Sequence, residues 1–222
     1  MQIWKATSRL VCVCIACLSS SIVTAASFDL HGAFTTDDTV QKFEVQLLAA
    51  GTFQATTLSF GGGALADGTV VPPGGFEPVL AIFDASAGDL LALDATGGTV
   101  PNACGPRAID PGSGLCLDAS LVLHLPAGNY LVTLSEYDNV PLGPRFENGF
   151  FRAGQGNFTG PEFLGQPGSF VLFDGSQRTA NWALEMSAES VRTAVPEPGG
   201  LSLAVGIVLC LWSARHQVKR RT

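Results

Sequence analysis

The most restrictive feature of the chain is a missing one. Between Ser27 and Ala188 no stretch of twelve or more residues keeps a helical period; apolar side chains alternate instead in short runs broken by glycine-rich turns. In the segment around Phe43, residues Phe43, Val45 and Leu47 share one face while Lys42, Glu44 and Gln46 share the other, the pattern of a half-buried strand. Ala49-Ala50-Gly51 turns the chain, and Phe53 to Phe60 reads as the returning strand, stopped by Gly61-Gly62-Gly63. Val79-Leu80-Ala81-Ile82-Phe83-Asp84 is a continuous apolar run bounded by turn residues, which predicts a central strand buried on both faces. Leu90, Leu91 and Leu93 begin the next. Ser120–Leu125 and Tyr130–Tyr137 flank Pro126-Ala127-Gly128-Asn129 as the arms of a hairpin. Phe170–Phe173 and Trp182–Ala188 complete the set. A sheet with one apolar face must bury it against another layer, so eight or nine such strands predict an all-β fold, an antiparallel β-sandwich or jelly roll.

Two spans escape this period. Ala95 to Gly114 is a loop rich in Gly, Pro and Asn, and it is bracketed by Cys104 and Cys116. These are the only cysteines left once those near the N-terminus and Cys210 are assigned to apolar end segments. In an exported chain they are expected to pair, a metal or redox pair being the alternative. The second span, Asp138 to Gly168, carries Phe146, Phe150, Phe151, Phe158 and Phe163, which must either pack the loop onto the sandwich or form a binding surface. Packing is the expectation adopted.

The ends have a different grammar. In residues 1–26, Lys5 and Arg9 precede an apolar run from Leu10 to Val23 and the small residues Thr24-Ala25-Ala26, the three parts of a secretory signal cut near Ala25 or Ala26. Cys12, Cys14 and Cys17 lie inside that run and would leave with it; Cys14-Ile15-Ala16-Cys17 is only loosely like a lipoprotein box. Residues 27–190 form the sandwich domain in this reading, and residues 191–198 a linker that contains Pro196-Glu197-Pro198. Residues 199–214 are an apolar helix spanning roughly 24 Å, slightly short for a hydrocarbon core. The basic tail 215–222, with Arg215, Lys219, Arg220 and Arg221, would stay cytoplasmic and leave the domain outside.

Charge divides along the same lines. Of 12 Lys and Arg, six lie between the two apolar ends, against 18 of the 19 Asp and Glu, so the middle carries a net −12. Such a surface repels phosphate backbones, and nucleic acid is excluded as a partner. Catalytic groups are sparse there. The only histidines there are His31 and His124, of which His124 alternates onto the face opposite three leucines, and Ser113 in Gly112-Ser113-Gly114 has neither a strand-to-helix elbow nor an obvious partner. Three glycines at 61–63 lack the Lys-Ser or Lys-Thr of a phosphate cradle. No cofactor is expected; calcium is the chemical alternative, with Asp94, Asp110 and Asp118 bordering the cysteine loop as oxygen ligands, although none sits in an Asp-x-Asp-x-Asp-Gly pattern. No catalytic residue is assigned, and the chain is expected not to be an enzyme.

Gly74-Gly75-Phe76-Glu77-Pro78-Val79-Leu80-Ala81-Ile82-Phe83-Asp84, Leu125-Pro126-Ala127-Gly128-Asn129-Tyr130, Tyr137-Asp138-Asn139, Gly156-Asn157-Phe158-Thr159-Gly160 and Gln177-Arg178-Thr179-Ala180-Asn181-Trp182-Ala183-Leu184 resemble a family of secreted bacterial proteins of uncharacterised function, over most of Phe28 to Met186. More distantly, the strand, acidic turn and Ala-Gly-Asn-Tyr hairpin are similar to the pre-peptidase C-terminal type of β-sandwich, an accessory module of secreted hydrolases. The tail resembles the PEP-CTERM sorting signal in all three of its parts: Pro196-Glu197-Pro198, the apolar run and the basic cluster. That resemblance implies passage through the Sec translocon, removal of the leader by signal peptidase and transient anchoring in the inner membrane. An exosortase-type enzyme would then deliver the domain to the cell surface or extracellular matrix, in association with exopolysaccharide. A surface hydrolase or its accessory domain, a calcium-binding surface module and a plain spacer are the competing readings.

Overall fold

A computed structural model describes residues 26–95, 104–105, 107–189 and 191–194. The secretory signal up to Ala25, the Pro-Glu-Pro motif, the apolar segment 199–214 and the basic tail lie outside the described residues. Among the described residues no helix is long and apolar enough to cross a membrane.

Two antiparallel sheets face one another. One has the order β1 (Ala26–Ala33), β10 (Asn181–Ala188), β3 (Gly51–Thr57), β8 (Ser120–Leu125). The other runs β11 (Val191–Ala194), β2 (Val40–Leu47), β9 (Gly128–Glu136), β6 (Pro78–Asp84), β7 (Leu90–Asp94). A small hairpin of β4 (Gly63–Ala64) and β5 (Val70–Val71) stands apart from both. The core lies where alternate side chains meet between the sheets. Phe43, Val45 and Leu47 of β2, Leu80 and Ile82 of β6, and Val132 and Leu134 of β9 come from one side; Phe53 and Ala55 of β3 and Leu184 and Met186 of β10 come from the other. Register brings Phe43 and Ile82 to the two sides of Val132. Period-two patterning therefore dictates the sandwich, because a slip of one residue would turn each of these apolar sets to solvent. The β8–β9 hairpin forms as the sequence predicts; its Tyr130 hydroxyl donates to the Pro126 carbonyl at 2.8 Å and secures the turn.

The apolar run 79–83 is buried on both faces, yet β6 lies next to the edge strand β7 and is not the centre of its sheet. Its outer face is covered by the 138–168 connection: Phe150 is buried against Ala81 and Phe83, and Phe146 meets Phe83 edge-on at 5.4 Å. Lys42 caps the Phe146 ring at 4.8 Å. Phe158 is also buried, while Phe151 remains 46% exposed, with the Arg152 guanidinium 4.5 Å from its ring centre. The same connection contains the one-turn helix α1 (Thr159–Leu164), too short to leave a period in the sequence.

Three expectations need correction. Phe170–Phe173 is not a strand: Phe170 takes a left-handed φ of 53°, Val171 makes only an isolated bridge to Gln177, and Leu172–Ser176 closes a turn. Phe170 enters the main core and Leu172 a separate cluster with Phe60 and Leu117, so the run is apolar because its first three residues are buried in a turn, while Phe173 is exposed. Residues 191–194 are not linker but strand β11, whose Val191 to Ala194 pair with Leu47 to Glu44 of β2. Likewise β3 stops at Thr57 rather than Phe60, because the Phe60 and Gly61 amides turn away to donate to the Asp118 carboxylate at 3.1 and 2.7 Å.

Asp37 fastens the long connection to the β1–β2 corner. It is fully buried, and its carboxylate accepts from the Thr159 amide and the Phe170 amide, both at 2.9 Å, and from the Thr159 hydroxyl. Removing such an acceptor strands buried donors, each costing roughly 1–3 kcal/mol. Asp37→Ala is therefore expected to lower unfolding free energy by about 3 kcal/mol or more, read from urea midpoints at unchanged m-value. Cys104 and Cys116 are joined as a disulfide with Cα atoms 5.5 Å apart and a sequence separation of 12. Reducing it should cost about 3 kcal/mol in the chain-entropy account, seen as a lowered melting temperature of the reduced protein.

Candidate functional site

A pocket of about 370 Å³ opens between β1 and β10 on one side and segment 69–73, which includes β5, on the other. Its apolar lining includes Trp182, Pro72 and Pro73, and its polar lining includes His31, Thr69, Thr179 and Asn181. Gly32 is opposite Trp182 in the β1–β10 register, and the indole lies across it: a Cβ at Gly32 would stand 2.6 Å from Trp182 Cζ2. Phe43 meets the indole edge-on at 5.7 Å and Phe34 packs on it at 6.3 Å. The ring is thus clamped by packing, with its orientation set before any ligand arrives.

The opposite wall is pinned by backbone bonds. Gly74 and Gly75 donate to the Phe60 and Ser59 carbonyls at 3.1 and 2.9 Å, and the Thr179 amide donates to the Gly74 carbonyl at 2.9 Å. Arg178 reinforces this junction from below. Its guanidinium donates to the Gly75 carbonyl at 3.0 Å, the Phe60 carbonyl at 3.3 Å and the Asp110 carboxylate at 3.0 Å, and lies 4.1 Å over the Phe60 ring. Ser59, although it lines the pocket, has its hydroxyl occupied by the Ala183 amide and carbonyl. By contrast the side chains of His31, Thr179 and Asn181 are exposed and make no hydrogen bond to another described residue. Beside His31 the Asp67 amide donates to Asp29 at 2.6 Å. Bonds from Thr69, helped by the nearby His31, hold the Asp67 carboxyl below its ordinary value.

The three aspartates considered as calcium ligands each face protein donors. Asp94 accepts from Arg107 at 2.6 Å and from the Ser120 amide at 2.8 Å. Asp110 accepts from Arg178 and from the Ser113 amide and hydroxyl, so Ser113 is a turn serine. Burial works against the charged form of Asp110, but the Arg178 and Ser113 bonds outweigh it and keep the carboxyl low. Asp118 receives Gly61, Phe60 and the Thr57 hydroxyl; there burial prevails and raises its pKa despite those bonds. Among the described residues no three His, Cys, Asp or Glu side chains are grouped so as to hold a metal ion. His124 is exposed on β8, remote in sequence and sheet position from the pocket. Pro196, Glu197 and Pro198 lie outside the described residues.

Sequence reasoning missed two buried acids. Glu136 ends β9 on the core face that Tyr130, Val132 and Leu134 define, and that alternation could have revealed it. Glu77 precedes Pro78 at the start of β6. Each leaves one carboxyl oxygen without a hydrogen-bond partner among the described residues. Burial raises the Glu136 pKa well above its usual value; Asp37 and Glu77 add to the rise, and Arg178 opposes it. Burial alone pushes Glu77 up to about 7.

The chain matches no family model and no curated protein. Fold and site together define an all-β sandwich of two antiparallel sheets, with a disulfide-closed loop and a small pocket lined by Trp182 and free of Lys, Arg, Asp and Glu.

The sign of the Glu77 effect follows from proton linkage. The folded state holds the proton more tightly than the unfolded chain, so Glu77 favours folding below about 4.5, and this advantage is lost as pH rises to about 7. The swing is about 3 kcal/mol. Glu77→Gln should therefore melt above the parent at pH 8, and the gap should narrow toward pH 4, as followed by thermal scans.

Proposed function

We propose that the chain is an exported, non-enzymatic β-sandwich of the jelly-roll type, sorted to the cell surface or extracellular matrix and associated there with exopolysaccharide. It passes the Sec translocon and loses its leader to signal peptidase. The 199–214 helix holds it in the inner membrane until an exosortase-type enzyme cuts near Pro196-Glu197-Pro198. The carrying observation is the three-part tail joined to a domain region with a net −12 charge. Pro-Glu-Pro, an apolar helix slightly short for a bilayer and a basic stop make a temporary anchor, and the acidic side of the charge partition is the side left outside.

The fold supports this reading in three respects. A disulfide persists in the oxidising compartments beyond the inner membrane. Strand β1 starts at Ala26, so cutting the leader near Ala25 leaves the first sheet strand nearly whole. The sheet orders β1-β10-β3-β8 and β2-β9-β6-β7 follow a double Greek key, an architecture used by lectin-like and capsid domains. The hydrolase alternative calls for converging acids or a buried base in a cleft, whereas the pocket lining carries no carboxylate.

Sorting is tested by fractionating cells that express the full chain or a deletion of Pro196-Glu197-Pro198, with intact-mass analysis of the released domain. The parent should appear outside the inner membrane, with a mass ending near the motif, and the deletion should stay membrane-bound at its longer mass. Identical distribution and mass for the two would sink the sorting reading.

A further inference from the structure

We infer that the pocket bounded by β1, β10 and segment 69–73 binds one uncharged saccharide unit, with Trp182, Pro72 and Pro73 against its C–H surface and His31, Thr179 and Asn181 bonding its hydroxyls. The inference rests on the exopolysaccharide association proposed above and assigns it a place on the domain.

Size is the first argument. A volume of about 370 Å³ falls at the lower end of the roughly 300–1,000 Å³ found for small-molecule sites, suited to one sugar ring with part of a neighbour. The second is the character of the wall. Sugars present an apolar C–H surface and a ring of hydroxyls. The pocket answers with Pro72 and Pro73 from segment 69–73, and with Trp182, the amide of Asn181, the hydroxyl of Thr179 and the imidazole of His31 from the β1–β10 side. Those three polar groups have no hydrogen-bond partner among the described residues, so a ligand does not have to displace an internal bond to reach them. Of the other polar groups of the lining, the Ser59 hydroxyl is saturated by Ala183 and Thr69 is engaged with Asp67, so neither takes part.

Preorganisation is the third argument. The indole is held over Gly32 by Phe34 and Phe43, and the facing wall by the Gly74, Gly75 and Thr179 amides. A site whose walls are already fixed loses little freedom on binding, which matters for a weak, hydroxyl-rich ligand. The fourth concerns charge. All five described Lys and Arg side chains between residues 26 and 189 are engaged away from the pocket: Lys42 over Phe146, and Arg107, Arg145, Arg152 and Arg178 with Asp94, Asp89, Asp138 and Asp110. The Asp29–Asp67 contact stands on the His31 side of the pocket. A phosphate, sulfate or uronate would meet no Lys or Arg in the lining and would come near these carboxylates. An uncharged ring meets neither penalty.

The test uses the full chain in a zwitterionic, sugar-free detergent. Saturation-transfer NMR is run with glucose, galactose, mannose and N-acetylglucosamine as probes and glucuronic acid as the charged comparator. At least one neutral sugar should receive saturation more strongly than glucuronic acid. Its affinity should fall about tenfold, the loss of one good hydrogen bond, in Asn181→Ala and in Thr179→Ala. His124→Ala should bind as the parent does. Both pocket substitutions are at exposed side chains without internal bonds, and each protein is checked by its melting temperature. Binding of no neutral sugar, equal binding of glucuronic acid, or parent-like binding by both pocket variants would overturn the inference. Loss of sugar binding with intact tail processing strikes this inference alone; unprocessed tail with sugar binding retained strikes the sorting reading alone.

Discussion

The arrangement depends most on one buried cation. Arg178 enters from the residues just before β10 and gathers three otherwise separate pieces of chain: the end of the β3 extension at Phe60, the approach to β6 at Gly75, and the disulfide loop at Asp110. A guanidinium suits this position because its planar fork donates in several directions at once while its face lies on an aromatic ring. An ammonium at the same place could satisfy fewer of these carbonyls and would not stack. The pair with Asp110 is nearly buried on both sides, with 8% and 4% side-chain exposure, so its value is in fixing geometry more than in net attraction. From that fixed point the 63–73 excursion is thrown over the outside of β1 and β10, and the pocket exists because of it.

Buried acids elsewhere divide into two kinds, and the division explains the long connections. Asp37 and Asp118 act as substitutes for secondary structure: each carboxylate collects backbone amides that a sheet would otherwise have paired. Irregular chain can then pass through the interior at Thr159, Phe170 and Phe60 without stranded donors. Glu77 and Glu136 do not work this way, since each keeps an oxygen without a partner among the described residues and burial favours the proton-bound form of both, with Asp37 and Glu77 adding to the rise at Glu136. The first kind holds loops down. The second makes the end of the β6–β9 pair sensitive to the acidity around it.

Strand patterning was legible because it is local. Phe43, Val45 and Leu47, the doubly buried 79–83 run and the β8–β9 hairpin declare themselves within a few residues, and the cysteine arithmetic finds the disulfide. What stayed hidden depends on partners distant in sequence. Val191–Ala194 becomes a strand only because the β2 edge is there to pair with it. Phe170–Phe173 looks like a strand because a buried turn and a buried strand have the same apolar composition; the carboxylate of Asp37 decides between them. The pocket was invisible for the same reason. Nothing near His31 or Gly32 announces Trp182, and their meeting is a matter of sheet register. Residues bordering the disulfide loop attracted notice as ligands because turn aspartates and cation ligands look alike in sequence, and the donors around them differ only in three dimensions.

Strand β11 has one further consequence, for where the chain can be severed. Its four residues close the outer flank of β2, whose amides and carbonyls would otherwise form a bare sheet margin of the sort that recruits foreign strands. Ala194 is the last of them, and Val195 alone separates it from Pro196. Because β11 is itself the edge strand and has only four residues, it replaces most of the eight-residue margin of β2 with a shorter one, and its loss would leave the domain inclined to stack on its own copies.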